Sequence, residues 1–457
     1  MEGCPGFARL SVCQRDVTDT PIAAVVMAGG LGTRMKSAEP KHFHPLLGRR
    51  MVDWVLEAGR AAGADPLVVV ASPSTRDRFD GVEIAVQEEP LGTGDAVRAA
   101  RAALEGKADD VLVLSGDTPL LTPELLRDLV DAHRREGAAA TILSAIPDDP
   151  RLYGRVVRAD NGDVLRVAEG RDATPDELEI REVNTSIYVF RSDDLWPALD
   201  RLEPHNVQGE LYLTDTIGIL AGSGKRVAAY TAPDARETDG VNTRAELAAA
   251  AALLRDRINE AHMLNGVTIV DPATAWIEPT VELERDVTIH PFVVLRGATR
   301  AAQGAEIHAQ TVAVDAEIGA RAAVGPFCYL RPGTVLGADS KAGTFVEIKN
   351  SRIGARTKVP HLSYLGDAEV GEDTNVGAGA ITANFPHRPG LPKGRTTIGS
   401  NVRTGIHNGF VAPVEIGDGA WIAAGSVITK NVPSGALGIA RPRQENKEGY
   451  AARNRDD

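Results

Sequence analysis

Three glycines close behind an apolar run, with two cations just beyond, are the residues of this chain best suited to chemistry. The run Ile22 to Met27 leads into Ala28-Gly29-Gly30-Leu31-Gly32-Thr33-Arg34-Met35-Lys36, and Lys41 follows after Pro40. Glycine lets a backbone turn sharply and approach a ligand closely. Amides of such a loop cradle phosphate oxygens, and a following helix N-terminus adds positive potential. Arg34 and Lys41 supply full positive charge, so the ligand expected is a nucleoside phosphate. Glycines after a strand, taken alone, mark only a turn. The spacing fits neither common nucleotide loop. Gly32 is followed by Thr33-Arg34 rather than by Lys-Ser/Thr, and Gly29, Gly30 and Gly32 lack the dinucleotide spacing.

The elements that must position this loop come from a first half in which apolar strand-like runs alternate with helix-like segments. Residues 67–71 and 111–114 read as strands and 96–104 as a helix. Residues 122–135 read as a second helix, with Thr122 as cap, Pro123 in the first turn and Leu125, Leu126, Leu129 and Val130 on one face. This alternation predicts an α/β domain with a mostly parallel sheet. Ligands of such sheets bind beyond the carboxyl ends of the strands. Residues 28–41 and Ser115-Gly116-Asp117 then share one rim. Residues 244–264, rich in Ala and Leu and free of Gly and Pro, read as one long linking helix.

From about residue 266 the period changes to six. Ile318, Val324, Leu330 and Leu336 are in one register. Ile353, Val359 and Leu365 form another, and Ile398, Thr404, Phe410, Ile416, Ile422 and Ile428 a third. A sustained period of six is neither helical nor a simple strand alternation. It matches hexapeptide repeats, in which three short strands make each coil of a parallel β-helix and one apolar residue per strand points inward. The expected domains are an extension over 1–20, a nucleotide-binding domain over 21–243, a linker helix over 244–265 and a β-helix with a C-terminal tail over 266–457.

Composition narrows the partners. The net charge of −13 over 457 residues argues against nucleic acid or an anionic membrane surface. Phosphate-binding cations must therefore be concentrated locally. No apolar run has the length of a membrane span, and residues 1–20 lack the apolar core of a signal peptide. Cys4, Cys13 and Cys328 make no disulfide framework, so a reducing, cytoplasmic setting is expected.

The combination Gly-x-Gly-Thr-Arg-Met-x-Ser with Pro40-Lys41 resembles the sugar-1-phosphate nucleotidyltransferase family. Within it, the chain resembles the bifunctional N-acetylglucosamine-1-phosphate uridyltransferase/glucosamine-1-phosphate acetyltransferases. Outside residues 1–20 the resemblance covers nearly the whole chain. It implies a Rossmann-like nucleotidyltransferase domain followed by a left-handed parallel β-helix. It also implies UTP and acetyl-CoA as co-substrates, Mg²⁺ as cofactor, glucosamine 1-phosphate and N-acetylglucosamine 1-phosphate as acceptors, and a homotrimer formed through the β-helix.

For uridyl transfer the protein mostly positions reactants and neutralises charge. The resemblance makes Arg34 and Lys41 the phosphate-binding pair and Ala28, Gly29 and Gly30 the loop over the nucleotide. Asp117, at the end of an apolar strand, is placed to hold Mg²⁺ through oxygen, and Asn242 in Asp239-Gly240-Val241-Asn242 matches the second metal ligand. On their own, Asp117-Thr118-Pro119 would be a helix-capping turn. Gln87, Gly92 and Thr93 match the uracil site, although 91–94 alone reads as a plain turn. Gly154 in Tyr153-Gly154-Arg155, Glu169 and Asn184 in Asn184-Thr185 match the sugar-binding set. In isolation Glu169 reads as an exposed loop acid. Ser115 and Leu31 depart from the family, which often has Tyr and Lys at these places.

Acetylation of an amine requires a base for the amine proton and a donor for the oxyanion, and histidine suits the first task near neutral pH. A lone histidine is more often structural. His361 lies between the hexad positions Val359 and Leu365, so its side chain is expected to point outward. The stretch 358–367 resembles the acetyltransferase signature, which makes His361 the expected base and His407 the competing candidate. Arg331, Lys349, Tyr364 and Asn375 match the amino-sugar phosphate ligands. Ala378, Asn384, Phe385, Ile406, Ala424 and Arg441 match acetyl-CoA positions. Phe385 and Ile406 depart from the usual Tyr and Ser, and an insertion near 386–393 blurs the local alignment.

Two other readings keep part of this pattern. One is a nucleotidyltransferase for another sugar 1-phosphate with an altered or inactive acyltransferase domain. The other is a non-enzymatic scaffold, which would have no need of Arg34, Lys41, Asp117 and Asn242 together.

Overall fold

Ile22–Met27 carries neither glycine nor proline and is buried along almost its whole length. Such a strand has no solvated face, which suits the middle of a parallel sheet. In the computed structural model it is flanked in parallel by Ala64–Ala71 on one side and Asp110–Ser115 on the other. The structure describes residues 21–30, 32–150, 153–386, 388 and 390–453. The expected extension with Cys4 and Cys13, and Leu31 of the glycine loop, lie outside them.

The chain divides into two compact units at Ala250/Ala251, within the helix Arg244–Leu264. In the first unit the strand order is Val227–Thr231, Ala140–Ala145, Val183–Arg191, Asp110–Ser115, Ile22–Met27, Ala64–Ala71, Glu83–Val86. The sheet is mixed. Val183–Arg191 runs antiparallel to both neighbours, and the hairpin Arg155–Arg158/Val164–Ala168 branches from it. A hairpin, not a crossover helix, precedes Val183–Arg191, so the chain returns in the opposite sense.

The helix Pro123–Glu136 starts as expected. Thr122 accepts a hydrogen bond from the Leu125 amide at 3.2 Å, and Gly137, at φ 58°, ends the helix. The helix expected over 96–104 starts earlier and is split into Thr93–Ala99 and Arg101–Leu104. The Ala100 amide reaches back to the Val97 carbonyl at 3.0 Å, a tighter turn that keeps Val97, Ala100 and Leu104 buried.

The second unit is built of two- to four-residue strands stacked in parallel. The run Thr288–Ile289, Glu306–Ile307, Ala323–Val324 is typical, each strand pairing with the one a coil later. This is a parallel β-helix. The hexad residues Ile318, Val324, Leu330, Leu336, Ile353, Val359, Leu365, Ile398, Phe410, Ile416, Ile422 and Ile428 form its dry centre. The period of six works because every third strand returns to the same face. After Ile381–Ala383 the insertion loops out, and Thr396–Ile398 resumes the stack on Ala368–Val370.

Candidate functional site

The carboxyl ends of four parallel strands make one rim. The Gly116 amide bonds to the Met27 carbonyl at 2.9 Å, the Ala28 amide to the Val70 carbonyl at 2.8 Å and the Gln87 amide to the Ala71 carbonyl at 2.9 Å. Gly116 is required here, because a Cβ would lie 2.8 Å from the Met27 carbonyl oxygen. The loop 239–242 docks on this rim through the Val241 amide, 2.8 Å from the Asp117 carbonyl.

Five side chains meet there. Lys41 Nζ pairs with the Asp117 carboxylate and donates to Asn242 Oδ1 at 3.0 Å. Arg34 donates to the same Asn242 oxygen at 2.7 Å. Ser115 donates to Asp117 Oδ1 at 2.7 Å and so fixes the carboxylate's orientation. Burial pushes the Asp117 pKa up, but Lys41, His42 and the hydrogen bonds from Lys41 and Ser115 outweigh it and hold the carboxyl below its usual range. His42, buried beside Asp117, is driven to a pKa of about 4, mainly by burial. It is a neutral ring at pH 7.

Gln87 donates to the Gly92 carbonyl and to Asp95, both at 3.0 Å, and its Oε1 faces Gly29. Gly92, at φ 120°, leaves no room for a Cβ, which would lie 2.5 Å from the Leu211 carbonyl oxygen. Thr93 accepts from the Leu213 amide at 3.0 Å. A cavity of about 390 Å³ opens between Arg34, Thr93, Glu169, Ser186 and Tyr212. Glu169, bonded to Thr214 at 2.7 Å, is half-buried rather than the exposed acid it would be in isolation. Burial raises its pKa, with Asp215 and Asp172 adding to the effect. A Cβ at Gly154 would lie 2.7 Å from the Val167 side chain and 3.5 Å from a Glu169 carboxylate oxygen. Asn184 is buried and donates to Tyr188 at 2.8 Å. Arg155 and Thr185, from the same stretches, bond to the backbone carbonyls of Tyr153 and Leu143.

In the β-helix, His361 is exposed at the end of Lys358–His361. The Gly379 amide bonds to the His361 carbonyl at 3.4 Å, the His407 amide to Ala378 at 2.7 Å and the Gly425 amide to Ile406 at 2.8 Å. These bonds put His361, Ala378, Ile406 and Ala424 in one column on successive coils. His407 sits one residue along, at a corner with φ 52°. Arg441 passes close to Gly425. Arg331 pairs with Glu347 at 2.8 Å. Asn375 joins Lys358 and Arg403 through bridge pairings.

Sequence reasoning missed two parts of this arrangement. Lys393, on the inserted loop, stands beside Lys349, and a hydrogen bond from it, together with its charge, pushes the Lys349 pKa down. Asp367 is held between Asn350, at 2.5 Å, and Asn384, and these bonds, with nearby lysines, outweigh burial and hold its carboxyl low. Two like charges brought together on a loop leave no periodic signal. Phe385 is exposed, with Lys393 Nζ 5.8 Å from its ring centre.

A family model described as a MobA-like NTP transferase domain matches residues 24–210. Over 95% of its length the chain is 47% identical to the bifunctional protein GlmU of Streptomyces coelicolor, covering 95% of that protein. It is 46% identical to that of Paenarthrobacter aurescens and 45% to that of Mycobacterium tuberculosis, again over 95% of the chain and 92% of each relative. The chain belongs to the GlmU family. Its match to these GlmU proteins runs through both units, so the rim around Asp117 and the column around His361 are both family territory. Among the described residues no helix is long and apolar enough to cross a membrane.

Proposed function

We propose that the chain makes UDP-N-acetylglucosamine in two steps, one in each unit. In the β-helix the amine of glucosamine 1-phosphate attacks the thioester carbonyl of acetyl-CoA. The C–S bond breaks, the CoA thiol leaves, and His361 takes the amine proton. In the first unit an oxygen of N-acetylglucosamine 1-phosphate attacks the α-phosphorus of UTP. The bond to the bridging oxygen breaks and pyrophosphate leaves. This nucleophile is already ionised, so the unit needs cations rather than a base. Arg34 and Lys41 supply them, and Gln87 and Thr93 serve the uracil end.

One observation carries the reading: Arg34, Lys41, Asp117 and Asn242, from segments as far as 208 residues apart, converge within hydrogen-bond reach in a GlmU-family chain. Asp117 and Asn242 also fit Mg²⁺, because their oxygens already meet on one cation, the Lys41 ammonium, and hard oxygen donors are what Mg²⁺ takes. Bound there, the ion would neutralise phosphate charge and favour pyrophosphate departure. Arg331, Lys349 and Lys393 form the phosphate end of the acetyltransferase site, with Tyr364 and Asn375 toward the sugar. Ala378, Ile406, Ala424 and Arg441 follow the acetyl-CoA. A homotrimer and a cytoplasmic setting belong to the same proposal.

The test uses one purified sample. Acetyl-CoA with glucosamine 1-phosphate should release free thiol, and UTP with N-acetylglucosamine 1-phosphate should release pyrophosphate. Asp117→Ala should abolish the second and spare the first, and His361→Ala should do the reverse. Loss of both activities from either change would refute the assignment of separate sites.

A further inference from the structure

The outward face of the first coils carries a second constellation that neither transfer uses. His290 and Glu306 hydrogen bond at 3.0 Å between Nε2 and Oε1. His308 Nδ1 lies 3.8 Å from the same carboxylate oxygen. The two imidazoles face each other with centres 5.0 Å apart. All three donor atoms fall within 4.8 Å of one another.

The fold produces this convergence. The His290 amide bonds to the Ile307 carbonyl at 2.9 Å, so His290 and His308 stack on adjacent coils. Glu306 lies two residues before His308, which directly follows the strand Glu306–Ile307, so both side chains share the outward face. The next coil has Ala323 and Gly325 in the corresponding columns. A Cβ at Gly325 would stand 3.3 Å from the His308 Cβ, so the glycine leaves that side of the imidazole open. Among the described residues no Lys or Arg pairs with Glu306. Its partners are the two histidines.

We propose that His290, Glu306 and His308 form a binding site for a divalent transition metal of the Zn²⁺ class. Two imidazoles and one carboxylate are the donor set that suits zinc, with a remaining position for water. Donors of a tetrahedral zinc ion bound at about 2.0–2.2 Å lie about 3.3–3.5 Å apart. The two distances to the Glu306 oxygen straddle that range, so only side-chain adjustment is needed. His308 lies three coils before Pro360, the neighbour of His361, about 15 Å along the stack at the usual strand spacing. The site is therefore separate from the acetyl-transfer column, and its role is to tie two coils together near the start of the β-helix.

The experiment uses the full untagged chain, stripped with a chelator and returned to a buffer with excess Mg²⁺, so that the rim at Asp117 does not take up the added ion. Calorimetric titration with Zn²⁺ should give one equivalent per chain. The double variant His290→Ala/His308→Ala should lose that equivalent, and Glu306→Gln should bind at least tenfold more weakly. Co²⁺ in place of Zn²⁺ should give visible bands that the double variant lacks. Zinc a hundredfold above its dissociation constant should raise the β-helix unfolding midpoint by about 5 °C. Equal zinc uptake by the wild type and the double variant, or no uptake by the wild type at micromolar zinc, would overturn the proposal. Should the double variant not fold, His308→Gln and Glu306→Gln decide it singly, each judged at unchanged circular dichroism and unchanged rates of both transfers.

Discussion

The ammonium of Lys41 sits on the carboxylate of Asp117, both nearly out of solvent, and Asn242 closes the group from a loop two hundred residues away. The pair holds the Asp117 carboxyl below its usual pKa range in a place where burial pushes that value up. Removing Asp117 leaves a buried ammonium with only an amide partner. Asp117→Ala should cost the first unit about 1–3 kcal/mol, read by urea unfolding, and Lys41→Met added to it should return part of that loss. Additive losses from the two changes would mean that the pair is not coupled.

His42, next to this pair, titrates in the folded protein at about 4 and in the unfolded chain near 6.5. Its neutral form is the folded form. Its contribution is fully present above about pH 6.5 and is lost as pH falls from there toward 4. The shift corresponds to about 3 kcal/mol over that window. Glu169 and Asp215, with raised values, act in the opposite direction, so the comparison must be between proteins. His42→Leu should lose less stability between pH 7 and pH 5 than the wild type. Equal losses would rule the buried histidine out as the sensor.

Gly92 holds a backbone conformation closed to other residues and supplies the carbonyl that fixes Gln87. Gly92→Ala should raise KM for UTP more than it lowers kcat, with a stability loss of about 1–3 kcal/mol. Thiol release in the acetyl-transfer assay should not change. Steady-state kinetics of both half-reactions check this, and an unaltered KM for UTP would detach Gln87 from uracil recognition.

Ile406 shares a column with His361, Ala378 and Ala424 and exposes an apolar side chain there. A hydroxyl in its place would add one hydrogen-bonding group beside the acyl site, worth about 1 kcal/mol. Ile406→Ser should therefore raise kcat/KM for acetyl-CoA roughly fivefold. No change, or a decrease, would place the acyl group elsewhere.

Lys393 adds a second ammonium beside Lys349. Like charges held together favour an anion between them. Lys393→Ala should raise KM for glucosamine 1-phosphate about tenfold and weaken the dependence of that KM on salt. A KM that keeps its wild-type value would leave the inserted loop without a part in substrate binding.

Both architectures are legible in the chain, because each has a period that the residues must obey. Six-residue spacing puts one apolar residue on the axis in every short strand, and Ile318, Val324 and Leu330, buried together from three successive strands on three faces, are that spacing folded. The glycine loop was legible for a similar reason, since backbone conformation and close approach restrict residue type at single positions. The antiparallel course of Val183–Arg191 was not legible, because strand direction depends on which edge the chain returns to. Which polar groups meet depends on packing between distant segments. Asn242 reaches Lys41, Lys393 reaches Lys349, and His290 stacks on His308 with Glu306 between them. Contacts of this kind join residues that share no local period, so the physical cause lies in the stacking of coils and the shared rim of the strands, not in any segment.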